Sequence, residues 1–322
     1  MTRDSGAPGP APQDGAPQDR APQDRAPRAP GRVVLGTAAL AGLFEPVPPT
    51  EARATLKQAW QDGVRGFDTA PHYGAGLAEE RLGEFLPEGA WVSTKVGRLL
   101  VPAGTPGSTK APEFPGSGLA RIRDYSAAGV IRGLEQSLER LGRTEVDLAL
   151  VHDPDDHLDQ AIHEAIPALA ESGLARAVGV GMVDADALTT LVAKAQLDYV
   201  MIAGRYTLLD RTAERELLPL CAERGVTVLA AGLLNSGILA DPRPGARFDY
   251  VEAPAGMLAA AQRMATACAN HGVPLLAAAL QHAYRHPAVG SVVLGARSPA
   301  EVRAALAGLA VPIPDELWAE LG

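Results

Sequence analysis

The chain has 322 residues and a formal net charge of −9, with 47% hydrophobic and only 4% aromatic residues. An excess of negative charge argues against nucleic acid or an anionic membrane as a partner. The two cysteines, Cys221 and Cys268, fall in predicted helices without metal-ligand spacing, as expected of a reduced cytoplasmic protein.

In chain order, residues 1–31 come first as a compositional outlier. Ala11-Pro12-Gln13-Asp14 recurs at Ala16 and at Ala21. A segment so rich in proline and charge buries no apolar surface, so it is expected to be a disordered, solvated tail. It lacks the apolar central run of a signal peptide. Nowhere does the chain run uninterruptedly apolar for the roughly 20 residues a bilayer crossing needs.

From residue 32 onward, short apolar runs alternate with helical periods. A strand over 32–37 precedes a helix over 50–63, with Thr50 as its cap. Strand 64–69, helix 77–85 and strand 91–95 follow, then a Pro/Gly-rich insertion over 100–122. Helix 127–141 stops at Gly142. Strand 146–152 with helix 161–171, strand 177–181 with helix 185–195, and strand 199–203 with helix 213–224 continue the pattern. Strand 226–231 leads through a long loop to helices 255–270 and 274–285. Strand 290–295 and helix 299–307 close the series. Eight strand–helix units in about 290 residues fit one α/β domain, a (β/α)8 TIM barrel over 32–322. An open doubly wound sheet is the rival, but no Gly-x-Gly-x-x-Gly opens the first helix.

In a barrel the strand ends that lead into helices form the active face. Three strands end there on a polar residue: Asp68, Lys95 and His152. Tyr73 stands five residues after Asp68, on a loop that Pro71 and Gly74 force. A free tyrosine titrates near 10 and carries protons poorly at neutral pH unless a cation stabilises its phenolate. Lys95 is that cation, and Asp68 would hold it. Taken singly, each residue has a plainer reading: a buried ion pair, a packed loop aromatic, a histidine capping a strand end. Together, at successive strand tips, they point to an acid/base site. His157, His163, His271, His282 and His286 read as surface or core residues, and no metal is assigned.

Asp68-Thr69-Ala70 with Tyr73-Gly74, then Lys95, then His152, resembles the catalytic tetrad of the aldo-keto reductases. Residues 203–210 and 233–239 are similar to the D-threo-aldose 1-dehydrogenase branch, which includes L-fucose and galactose dehydrogenases. The resemblance implies an NAD(P)-dependent oxidoreductase moving hydride between a substrate carbon and the nicotinamide, for an aldose at C1. Tyr73 would be the general acid/base, with Lys95 lowering its pKa, and His152 would orient the substrate oxygen. His72 and Arg205 join Tyr73 and His152 as implied substrate contacts. The resemblance places the nicotinamide near Thr37, Asp68, Gly181, Met182 and Arg205. The family's amide-gripping side chains are replaced here by Gly181, Met182 and Ala203, and its stacking aromatic by Ala231, for which Arg205 or Tyr206 would compensate. Gly232, Leu234, Asn235, Ser236 and Gly237 match the loop over the pyrophosphate. Gly295, Arg297, Ser298 and Glu301 fall at the phosphate end, where Ser298 is also a plausible helix cap. Glu301 would repel a 2′-phosphate, so NAD is the expected cofactor, with NADP the alternative that Arg297 favours. A sugar or aldehyde is the implied substrate, the chain a monomer or weak homo-oligomer. Oxidation of another compound such as pyridoxal, or a non-catalytic nicotinamide sensor that binds a partner protein, are the alternatives.

Overall fold

A computed structural model describes residues 28–43, 45–110, 114 and 118–322. The tail expected over 1–31 lies outside these residues as far as position 27. Residues 28–31 are described, and they pack on the floor of the domain. Arg28 pairs with buried Asp147 at 2.7 Å, and its carbonyl accepts from Trp91 Nε1 at 2.8 Å. The Gly31 carbonyl accepts from Ser291 Oγ at 2.5 Å.

The strands are β1 (Val33–Gly36), β2 (Gly66–Asp68), β3 (Trp91–Val96), β4 (Arg98–Pro102), β5 (Leu119–Arg123), β6 (Leu148–His152), β7 (Val178–Met182), β8 (Tyr199–Ala203), β9 (Thr227–Ala231), β10 (Arg247–Phe248), β11 (Val251–Glu252) and β12 (Val289–Gly295). Eight of them close a parallel barrel in the order β1-β12-β9-β8-β7-β6-β3-β2. A strand buried on both faces needs apolar side chains on both, which is why β6 reads Leu-Ala-Leu-Val without alternation. Leu148 and Leu150 point into the barrel with Val34, Met201 and Leu229. Ala149 and Val151 instead join the larger core between barrel and helices.

Several expectations shift. Pro49 takes the first helical position of the helix Pro49–Gln61, so Thr50 is not its cap. Proline suits that place because its missing N–H would be unsatisfied there anyway. The described ends of the insertion over 100–122 form two strands. β4 and β5 pair antiparallel from Arg98 opposite Arg123 to Pro102 opposite Leu119. The helix expected over 161–171 begins as a π-helical turn, Ala161–Ala165, before the α-helix Ile166–Glu171. Pro167 has no N–H to donate back to the preceding turn, consistent with the wider winding there. Also unread were the short hairpin β10–β11 and a last helix, Asp315–Leu321.

Candidate active site

The C-terminal ends of the barrel strands bring Asp68, Lys95 and His152 to one mouth. Registration of Asp68 opposite Ser93 on the neighbouring strand puts Lys95, two residues on, over the same carboxylate. The ammonium donates to Asp68 Oδ1 and Oδ2 at 2.9 and 2.7 Å and to the Thr69 carbonyl at 2.9 Å. Ser93 Oγ donates to the same carboxylate at 2.8 Å. The carbonyl of Asp68 accepts from both the backbone and hydroxyl of Thr37, at 2.9 and 3.0 Å. Both charges are almost fully buried. A pair so enclosed needs hydrogen bonds beyond its own attraction, and Ser93 and the Thr69 carbonyl supply them.

Tyr73 begins a short turn in which Gly74 has φ 62° and Ala75 φ 54°. A Cβ at Gly74 would stand 2.9 Å from that of Ala41, so only glycine lets the loop press against the rim. The Lys95 ammonium lies 4.8 Å from the centre of the Tyr73 ring. The Tyr73 ring is 6.1 Å from that of His152 and 5.9 Å from that of Phe114. The expected depression of the phenol is not found. Burial pushes Tyr73 up to about 12, and the nearby Lys95 charge opposes that rise without cancelling it. Burial also drives Lys95 down, but the charges of Asp68 and then Tyr73 outweigh it and hold the ammonium charged. His152 is held well below the usual imidazole range by burial, then by the charges of Arg98 and Lys95. It is therefore neutral.

His72 lies on the same rim, its ring 5.7 Å from that of His152. Arg205 stands two residues beyond the end of β8. Its guanidinium grips Asp249 through two bonds of 2.9 and 2.8 Å, with Asp210 at 3.6 Å. Tyr206 cannot replace the absent stacking ring, because it is buried against His282 with ring centres 5.0 Å apart.

The expected cofactor positions occupy the rest of the same rim. Gly181, one residue before the end of β7, lies beside Lys95, where a Cβ would come 3.8 Å from Cε of that lysine. Its carbonyl accepts from Asp153 N. Met182 packs its side chain into the outer core, leaving only its backbone to a ligand. Gly232 has φ 63°, and a Cβ there would strike the Gly204 backbone. Leu234 packs between two apolar clusters and accepts from Gly237 N at 2.9 Å. Asn235 and Ser236 both have positive φ. The Oδ1 of buried Asn235 has no hydrogen-bond partner among the described residues, and Ser236 Oγ accepts from Tyr250 N at 3.0 Å. An open glycine floor, an orphaned amide oxygen and a turn of left-handed residues fit a nucleotide carrying both donors and phosphates. Gly295 is exposed at the end of β12, and Ser298 caps the helix Pro299–Leu309 by accepting from Glu301 N. Arg297 is shared by two carboxylates, Glu45 at 2.9 Å and Glu301 at 3.4 Å.

Sequence reasoning missed Arg98, Asp153, Phe114 and Tyr125, which line or brace the site. A buried brace behind β3, in which Glu79 accepts from Thr94 Oγ1 at 2.6 Å and Arg140 Nε at 2.7 Å, was also missed. A cleft of about 590 Å3 is lined by Asp155, Val183, Asp184, Arg205 and Asp210 among others, and none of Asp68, Tyr73, Lys95 and His152 lines it. Among the described residues no cluster of His, Cys, Asp and Glu could hold a metal, and no helix is long and apolar enough to cross a membrane.

The sequence pattern of the Aldo/keto reductase family matches residues 32–322. The chain is 42% identical over 308 residues to a D-threo-aldose 1-dehydrogenase of Pseudomonas sp, covering 89% of this chain and 91% of that one. It is 40% identical over 315 residues to a pyridoxal 4-dehydrogenase of Microbacterium luteolum, covering 89% and 92%. Among solved structures, a glycerol dehydrogenase from Gluconobacter oxydans superposes with a TM-score of 0.71 at 26% identity, over 91% of this chain and 93% of that one. This chain belongs to the aldo/keto reductase family and is an NAD(P)-dependent oxidoreductase.

Proposed function

We propose that the protein oxidises an aldose at C1 to the corresponding lactone with NAD, using Tyr73 as general acid/base. The observation that carries this is the Lys95 ammonium, pinned by both oxygens of Asp68 and set 4.8 Å from the Tyr73 ring. A phenol buried beside a fixed cation is one whose two protonation states the protein can balance. When bound, the nicotinamide would accept the hydride at its C4. Tyr73 Oη takes the hydroxyl proton as the substrate carbon becomes a carbonyl, and returns it in the reverse direction. Neutral His152 offers a ring nitrogen to the substrate oxygen. Lys95 steadies the phenolate, and Asp68 keeps Lys95 from turning away.

Two features support NAD over NADP. Glu301 places a carboxylate at the phosphate end, and Arg297 already serves Glu45 and Glu301. A 2′-phosphate would have to displace both to gain the guanidinium. Oxidation of pyridoxal is the second reading. It is favoured by the relative from Microbacterium luteolum and by an aromatic wall, in which Phe114 packs 5.9 Å from Tyr73 and 5.6 Å from His72.

The test is a panel of aldoses, pyridoxal and simple alcohols with NAD+ and NADP+, followed at the nicotinamide absorbance. Aldoses with NAD+ are expected to give the highest kcat/KM, and Tyr73→Phe should lower it roughly 10²- to 10⁴-fold. Undiminished turnover by Tyr73→Phe would remove the mechanism, and a higher kcat/KM with NADP+ would overturn the cofactor choice.

A further inference from the structure

The first residue of the β4–β5 hairpin, Arg98, meets Asp153, the residue after β6, in an ion pair that proton transfer does not require. The chain leaves β3 at Gly97, with φ 98°, where a Cβ would collide with the Tyr125 ring. That turn sends Arg98 back over the site. Its Nη2 lies 2.5 Å from Asp153 Oδ2. Its Nη1 stands 3.4 and 3.3 Å from the two ring nitrogens of His72, so the guanidinium lies over the imidazole rather than bonding one atom of it. Asp153, the residue after His152, is held in place from two sides. Its N–H donates to the Gly181 carbonyl at 3.0 Å, and the Tyr125 hydroxyl lies 2.7 and 2.6 Å from the carbonyls of His152 and Asp153. Its φ is 43°, in the left-handed region that aspartate enters more readily than most residues.

The pair is positioned and yet incomplete. Arg98 keeps 19% of its side chain exposed and Asp153 18%. Arg98 Nε and His152 Nδ1 are buried without a hydrogen-bond partner among the described residues. Asp153 Oδ2 is also 3.6 Å from His152 Nε2, so the pair adjoins the histidine that is to face the reacting oxygen. A half-buried ion pair with an unmet donor is a poor stabilising device, because desolvation offsets most of its attraction. It is a good reader of hydroxyls. A guanidinium donates and a carboxylate accepts, so side by side they satisfy a hydroxyl in both its roles.

We propose that Arg98 and Asp153 form a subsite for the hydroxyl on the carbon next to the reacting one, so that the enzyme selects 2-hydroxy aldoses over their deoxy analogues. This rests on the aldose reading above and adds a specificity determinant to it. His72 contributes by fixing the guanidinium plane, and Arg121 fixes His72 in turn by donating to its carbonyl at 2.6 Å.

The experiment compares kcat/KM for the best aldose of the panel with that for its 2-deoxy counterpart, in the wild type, Arg98→Met, Asp153→Asn and Arg98→Lys. A site built to bond a hydroxyl rejects the analogue that lacks it, and a bond to a charged group sets a preference of roughly 10- to 100-fold. That preference is expected in the wild type. It should shrink to within about threefold of unity in Arg98→Met and Asp153→Asn, and persist in part in Arg98→Lys, which keeps a charged donor. The ratio is internal to each protein, so a general loss of activity does not move it. NAD+ affinity, read by protein fluorescence, reports whether each variant is folded, and Asp153→Asn leaves the hairpin sequence intact should Arg98→Met unfold it. A wild-type ratio near unity, or a ratio unchanged in both variants, overturns the subsite while leaving aldose oxidation standing. Absence of turnover with every aldose overturns the aldose reading and the subsite together.

Discussion

The strand tips and the loop excursions of this barrel are built on different principles. At the tips, Asp68, Lys95 and Ser93 meet because neighbouring parallel strands in fixed register leave them no alternative, and all three are buried. The excursions after β3 and β9 are tied at their described residues by ion pairs such as Arg98 with Asp153 and Arg205 with Asp249. Those contacts are all partly exposed. The barrel wall therefore holds the proton chemistry rigidly, while the excursions can vary what the enzyme accepts without disturbing it.

Removing a tip residue should accordingly have the largest effect. In Lys95→Met, Tyr73 loses its cation and Asp68 keeps a buried charge without its counter-ion. Breaking one side of such a pair destabilises by about 3–5 kcal/mol. Any protein that still folds should lose roughly 10²- to 10⁴-fold in kcat/KM, as expected when acid/base catalysis is disabled. Thermal unfolding and steady-state kinetics measure both, and a fall below tenfold would mean that the strand tips are no more critical than the loops.

The next largest effect is on pH. Burial raises the Tyr73 pKa to about 12 despite Lys95. The phenol is thus protonated across the neutral range, ready to act as acid, and only the ionised fraction can act as base. Oxidation should gain about tenfold in kcat/KM for each unit of pH between 7 and 10, while reduction stays flat over the same range. Profiles in the two directions test this. An oxidation profile that levels off near neutrality would place the balance of burial and charge on the side of Lys95.

How far the sequence reveals the molecule follows the same division. Asp68, Lys95 and His152 were legible because each follows an apolar run and barrel topology alone brings strand ends together. Ser298 was legible as a cap because helix starts follow local chemistry, and Glu301 N does donate to it. Arg98 was hidden because it belongs to a hairpin whose Pro/Gly-rich composition reads as a loop. Asp153 was hidden by its place beside Pro154, where turn chemistry explains it well enough. The direction of the Tyr73 shift was misjudged for a related reason. Spacing reveals that a cation is near, but not how much water the fold removes, and desolvation is the larger influence here. Arg205, expected to face a ligand from just past a strand end, also pairs with Asp249 on another loop while lining the cleft.

That contact gives the smallest of the expected effects. Asp249 and Tyr250, with φ 49° and 71°, make the two-residue turn between β10 and β11. Such a turn prefers Asn or Asp followed by Gly, so Tyr250 in left-handed geometry costs on the order of 1 kcal/mol. Arg205 offsets this by its two bonds to Asp249, and Ser236 by accepting from Tyr250 N. Because Ser236 belongs to the turn matched to the pyrophosphate, loosening the hairpin loosens that turn as well. The ion pair is 22% and 42% exposed, which limits its worth to about 1 kcal/mol. Arg205→Ala should therefore raise the KM for the nicotinamide nucleotide by about fivefold. The chain should also become open to protease cleavage near Tyr250, and kcat should fall less than KM rises. If instead the KM for the aldose rises and that for the nucleotide does not, Arg205 touches substrate after all, and the excursion after β9 belongs to sugar recognition rather than to cofactor retention.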